Sequence, residues 1–131
     1  MRIIVYSERI VQFSMHYPVR LYLKHPPHAI MLTLSVVLNI VSLIWLLVRI
    51  HPQEQNVFLH YNILFGVDEL GVWWQVFYVP LTAAVILMTN TVLSWFLYQK
   101  DKLISYVLLG MTCLCEIFLF IVTALLVFLN V

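Results

Sequence analysis

The chain has 131 residues, 63% of them hydrophobic and 10% charged, and its seven Lys and Arg nearly balance six Asp and Glu for a net charge of +1. Soluble domains carry about 25% charged residues, so this composition, with a mean hydropathy of +0.98, excludes an ordinary water-soluble globule. It predicts an all-α integral membrane protein, and the near-neutral balance excludes an extended nucleic-acid surface.

Residues 1–28 precede the first long apolar run. On a helix, Ile3, Ile4, Ile10, Val11 and Met15 fall on one side and Glu8, Arg9 and Gln12 on the other, which suits a short amphipathic segment lying in a headgroup layer. Pro18 ends it. Residues 29–48 then form the first predicted span, introduced by Pro26-Pro27 and closed by Arg49. A cleaved signal peptide is not expected, because residues 3–6 are too few for its hydrophobic core and no small-x-small site follows Val48.

An outer loop, residues 49–75, leads to a second span at 76–98, with Pro80 in the first turns where a proline is tolerated. Only Gln99-Lys100-Asp101-Lys102 separates it from the third span, 103–129. So short a link forces a tight helical hairpin. Each of the three segments meets the roughly 20-residue length needed to cross a bilayer. Cys113 and Cys115 lie inside the third run about 200° apart on a helix, so they cannot pair with each other.

Orientation follows from the basic residues, which concentrate on the cytoplasmic side. Arg2, Arg9, Arg20 and Lys24 precede the first span and Lys100 and Lys102 fill the short turn, while Arg49 lies opposite with Glu54, Asp68 and Glu69. The expectation is a multi-pass protein of a cytoplasmic membrane, amino terminus inside and carboxyl terminus outside. Trp45, Trp73, Trp74 and Tyr78 would mark the outer interface, and Trp95, Tyr98 and Tyr106 the inner one. This arrangement splits the five histidines, His16, His25 and His28 inside and His51 and His60 outside. His51 and His60 with Asp68 give too few ligands at defined spacing for zinc, so no metal site is expected.

Helical phase sorts the polar residues of the spans onto stripes. Ser105, Thr112, Glu116, Thr123 and Asn130 fall within about 40° of one another on the third span. Ser35, Asn39 and Ser42 line up on the first, and Asn90 and Ser94 align with Ala83 on the second. Facing these stripes toward each other would let both Asn39 and Asn90 bond the carboxyl of Glu116, the one Asp, Glu, Lys, Arg or His from residue 103 to the chain end. A lone acid at that depth has two readings. It is a neutral interhelical tie, because burial disfavours the charged form, or it is the proton- or cation-handling group of an oligomeric pathway.

The outer loop carries the most distinctive signature. Phe58 to Ile63 can be extended, and Gly66 with Asp68 supplies turn chemistry. His60, Asn62 and Asp68 can converge near Tyr61, Trp73 and Trp74 to form a binding cap. No G-x-S-x-G, H-E-x-x-H or Gly-rich phosphate loop occurs, so neither enzymatic activity nor a cofactor is expected. In His60-Tyr61-Asn62, Gly66, Asp68 and Pro80 the segment resembles a bacterial domain-of-unknown-function family found at the start of Sdp-type immunity membrane proteins. The proline that usually leads the motif is missing, the step from Asn62 to Gly66 is one residue wider, and that from Gly66 to Asp68 one closer. The resemblance, over roughly residues 49–94, implies an extracytoplasmic sensing, accessory or immunity-like role in a bacterial inner membrane. The expected associates are lipids, a membrane-protein partner or further copies of the chain.

Overall fold

The computed structural model describes residues 19–64 and 66–131, with the side chains of Tyr61, Asn62, Val67 and Asp68 outside the description. Residues 1–18 of the expected amphipathic segment, 1–28, therefore lie outside the described residues, and residues 19–24 of it are helical. The elements that follow are α1 (Val19–Lys24), α2 (Pro26–Arg49), β1 (Val57–Asn62), β2 (Gly66–Gly71), a 3-10 turn (Trp73–Phe77), α3 (Tyr78–Tyr98) and α4 (Lys102–Asn130). Three helical stretches, Pro26–Arg49, Trp73–Tyr98 and Lys102–Asn130, are long and apolar enough to cross a membrane.

Local chemistry sets the helix ends. Pro26 and Pro27 occupy the first positions of α2, where the missing N–H groups would have had no helical partner. The helix therefore begins three residues before the apolar run does. Its other end carries Arg49, a cation placed where the carbonyl end of the helix dipole favours one. Ahead of α3, the Gln75 side chain accepts a hydrogen bond from Val72 N at 2.9 Å and Gln75 N donates to Val72 O at 2.9 Å, closing the 3-10 turn. At the link between α3 and α4, Lys100 N and Asp101 N both donate to Leu97 O, and the Asp101 carboxylate then accepts from Leu103 N at 2.8 Å and Ile104 N at 3.4 Å. One acidic side chain thus ends the turn and starts α4.

α4 packs along both α2 and α3, which touch each other less. The buried surfaces between them are unusual for a helix bundle. Leu46, Ile50, Val57, Val76, Leu126 and Val127 form an apolar cluster at the hairpin end, and Tyr22, Tyr98 and Leu109 form another at the turn end. Between these plugs the inward positions are largely small or polar: Ser35, Ser42, Ala83, Ser94, Ser105, Thr112, Glu116 and Thr123. Thr91, Thr112 and Thr123 bond the carbonyl four residues back on their own helices. Hydroxyls satisfied in this way let helix backbones approach closely without leaving orphan donors.

The segment between α2 and α3, expected as an ordered loop with Phe58 to Ile63 extended, is a two-stranded antiparallel sheet in a chain whose described residues are mostly helical. Val57 pairs with Gly71, Phe58 with Leu70, His60 with Glu69, Tyr61 with Val67 and Asn62 with Gly66. Leu59 and Asp68 have no partner in this register, so each strand carries a bulge. Gly66, read from sequence as turn chemistry together with Asp68, has φ +77° at the start of β2, a conformation that favours glycine. Asp68 itself is the bulged residue of β2: pairing of Val67 with Tyr61 and of Glu69 with His60 on either side holds it in the strand despite the weak propensity of Asp68-Glu69.

The Asn130 side chain hydrogen-bonds the hairpin to the bundle. Asn130, at the last turn of α4, accepts from Phe58 N at 2.7 Å and donates to Phe58 O at 2.8 Å and Leu126 O at 2.9 Å. Its amide mimics a neighbouring strand. Asn130→Ala should cost about 1 to 2 kcal/mol at roughly 1 kcal/mol per net hydrogen bond, and should speed amide exchange at Phe58 and along β1. Asn130→Asp, which can still accept from Phe58 N but cannot donate, should fall between the two. Hydrogen exchange in detergent or nanodiscs checks both.

Candidate functional site

The three polar stripes meet, and the carboxyl of Glu116 lies among them. Glu116 projects from the middle of α4 and is 2% exposed. Asn39, from α2, approaches its Oε2 with Nδ2 at 3.5 Å and donates through the same nitrogen to the carbonyl of Pro80 on α3 at 3.0 Å. One amide thereby ties three helices. Oε1 of Glu116 is buried with no hydrogen-bond partner. Asn90 does not reach the carboxyl, contrary to the expectation that both amides would. Its Nδ2 donates to Thr112 Oγ1 at 2.9 Å instead, one turn and about 6 Å along α4 from Glu116. Thr123, two turns beyond on the same face, is buried and satisfied within its own helix.

A hollow of about 310 Å³ opens between α2 and α3, lined by Asn39, Leu43, Trp74, Tyr78, Pro80 and Leu81 among others. It leads from the aromatic residues at the hairpin end down to the Asn39 amide and the Pro80 turn. Glu116 does not line it; its carboxyl lies behind the Asn39 amide.

The outer-loop candidates distribute differently from the expectation of a single convergent cap. His60 lines a second hollow of about 380 Å³ with Leu59, Val122, Leu125 and Phe128, against α4. Trp74 stands over the first hollow, edge-on to Tyr78 at 5.4 Å. Trp73 instead packs against the apolar cluster and, edge-on, against Phe77. The side chains of Tyr61, Asn62 and Asp68 lie outside the described residues. Among the described residues no three His, Cys, Asp or Glu side chains converge as metal ligands do.

A further cluster at the turn end was not foreseen. Tyr22 of α1 donates to Ser94 Oγ at 2.7 Å, and Ser94 and Ser105 share a hydrogen bond at 2.6 Å. Ser105 Oγ also lies 3.1 Å from His28 Nε2. All four side chains are essentially excluded from solvent. His28 stacks at 4.4 to 5.0 Å among the rings of Tyr22, Tyr98 and Tyr106, and His25 bonds Tyr106 at 3.2 Å. His28 is buried because α1 folds back against α3 and closes over it. Residue spacing gave no signal for this cluster, because extended His25 between α1 and α2 breaks the helical phase that would relate Tyr22 to His28.

No family model, curated protein or solved structure matches the chain.

Tyr22 sits outside the three long apolar stretches, and burial holds its phenol above the ordinary value of 10.0, opposed by the hydroxyls of Ser94 and Ser105. A phenol whose value is raised by folding contributes stability that is complete below the unfolded value and is lost as pH rises through the folded one. Wild-type protein should therefore lose stability above about pH 10. Tyr22→Phe should start about 1 kcal/mol less stable at neutral pH and show a smaller decline. Unfolding followed at pH 8 and pH 11 compares them.

Proposed function

We propose that the chain is a non-enzymatic, three-span membrane protein that acts as an accessory, sensing or immunity-like component, docking a membrane partner through its extracytoplasmic hairpin. The membrane reading is supported by what the helices turn outward. Ile30, Val37 and Ile44 of α2, Val85 and Met88 of α3, and Met111, Phe118 and Leu125 of α4 are all exposed, an arrangement costly in water and natural in lipid. The bias of Lys and Arg toward residues 1–24 and 99–102 supports an amino terminus inside and a hairpin outside.

The observation that carries the docking role is the hairpin itself. It is clamped by Asn130 and seated on the Leu46, Val57 and Leu126 cluster, yet its tip presents Ile63 at 90% and Leu64 at 82% exposure. A pre-ordered support under two solvent-exposed aliphatic side chains suits recognition, because little ordering entropy remains to be lost on binding. The likeness of residues 49–94 to the start of Sdp-type immunity proteins favours the same role. A catalytic reading draws no support from Ser105 and His28, a Ser and His pair in contact among the described residues. Ser105 and His28 are both buried, and His28 Nδ1 has no partner to orient the ring, whereas acyl-transfer sites need that third group. The oligomeric pathway is less favoured, since α4 lies between α2 and α3 and a single copy encloses no lumen.

Two measurements test this reading. Cysteine at Ile63 should react with an impermeant thiol reagent in intact cells and cysteine at Asp101 should not, with Cys113 and Cys115 shielded in the middle of α4; reversed labelling overturns the orientation. Mild detergent extraction should yield a stoichiometric companion or a homo-oligomer, and Ile63→Asp with Leu64→Asp should abolish the association while leaving the melting temperature within a few degrees. Association that survives the double change removes the hairpin from the role.

A further inference from the structure

The Glu116 carboxyl is unfinished in either protonation state. As an acid it has a proton to donate, and no acceptor lies within hydrogen-bonding distance of Oε1. As a carboxylate it would have a single donor, Asn39 Nδ2, at the outer limit of a hydrogen bond. Buried polar atoms are rarely left in this condition. No cationic side chain is at hand to complete it, for residues 29–48 of α2 and 79–97 of α3 contain no ionisable group. The nearest ionisable neighbours on α4 are the thiols Cys113 and Cys115.

The Asn39 amide offers a way to complete it. Its nitrogen faces two oxygens, Pro80 O and Glu116 Oε2. The two ends of an Asn amide are nearly equal in size, so a half-turn about the terminal torsion would replace this nitrogen with Oδ1. Three oxygens from three helices would then converge, with Glu116 Oε1 as a fourth. That arrangement is repulsive unless a cation sits between them. Oxygen-only donors select hard cations, and the Pro80 carbonyl, although it lies within α3, already accepts a bond from outside its own helix. A single carboxylate neutralises a single charge, so a divalent ion would leave an uncompensated positive charge in hydrocarbon, at high cost.

We infer that Glu116, Asn39 and the Pro80 carbonyl form an intramembrane site that exchanges one proton for one Na⁺, reached through the hollow between α2 and α3. The carboxylic acid releases its proton to solvent as Na⁺ enters, so the site stays neutral in both states and no other bond is made or broken. The site lies about 15 Å along α2 from Arg49, near mid-depth of a bilayer about 30 Å thick. The inference rests on the membrane-embedded reading of the bundle and is independent of the docking role of the hairpin.

The test uses the full chain in detergent, with unfolding followed by tryptophan fluorescence in NaCl or in choline chloride at equal ionic strength. Na⁺ should raise the melting temperature by a few degrees through binding to the folded state alone. Because proton and Na⁺ compete for one carboxyl, the half-saturating Na⁺ concentration should rise about tenfold for each unit of pH lowered across the range in which Glu116 is protonated. Glu116→Gln should abolish the Na⁺ effect, and Asn39→Ala should weaken it at least about tenfold, the loss of roughly one charge-assisted contact. Absence of any Na⁺ effect, an effect unchanged in Glu116→Gln, or stabilisation by acid alone would overturn the inference. Should Glu116→Gln not fold, the wild-type protein decides the matter: a half-saturating concentration that does not move with pH is equally fatal.

Discussion

Polar groups on the inward face of α4 must find partners within the chain, and most of the architecture follows from how they do so. Ser105, Thr112, Glu116, Thr123 and Asn130 recur on one side of 29 residues of otherwise apolar helix. Each is answered differently. Ser105 joins a hydroxyl and imidazole cluster, Thr112 receives Asn90, Glu116 receives Asn39, Thr123 turns back on its own backbone and Asn130 takes hold of a strand. Together these contacts set the azimuth of α2 and α3 around α4. Apolar packing alone would set it poorly, since in lipid a leucine gains little by facing another leucine rather than an acyl chain.

The same requirement explains how the two ends differ. At the turn end, α1 brings Tyr22 over Ser94 and shuts His28 in with three tyrosine rings. At the hairpin end, apolar side chains from α2, α4, β1 and the 3-10 turn make the seal, and the polar partner is an amide acting on backbone. The middle, where neither device reaches, is where Glu116 retains an unanswered oxygen.

The helices were legible from sequence because length, apolar content and the prolines at 26, 27 and 80 speak directly to local backbone. Helical phase also brought Asn39 toward Glu116. It could not give the pairing of Asn90, because that depends on the axial stagger of α3 against α4, which the turn around Asp101 sets. The second strand was hidden for a different reason: Gly66-Val67-Asp68-Glu69-Leu70-Gly71 has little intrinsic preference for extension and acquires it by pairing. The buried cluster around His28 was hidden because Tyr22, His25 and His28 precede the apolar run, where a charged leading segment masks them. The folding back of a six-residue helix takes Tyr22 and His28 out of solvent, while His25 stays partly exposed.

The grip of Asn130 on Phe58 has a mechanical consequence. At 1.5 Å per residue α4 is about 43 Å long and α2 about 36 Å, so α4 outreaches its neighbour and ends in contact with β1. A helix fastened in this way sets the position of β1 at Phe58 through its last turn. Any sliding or rolling of α4 would therefore be felt first at Phe58, where the Asn130 amide grips the strand.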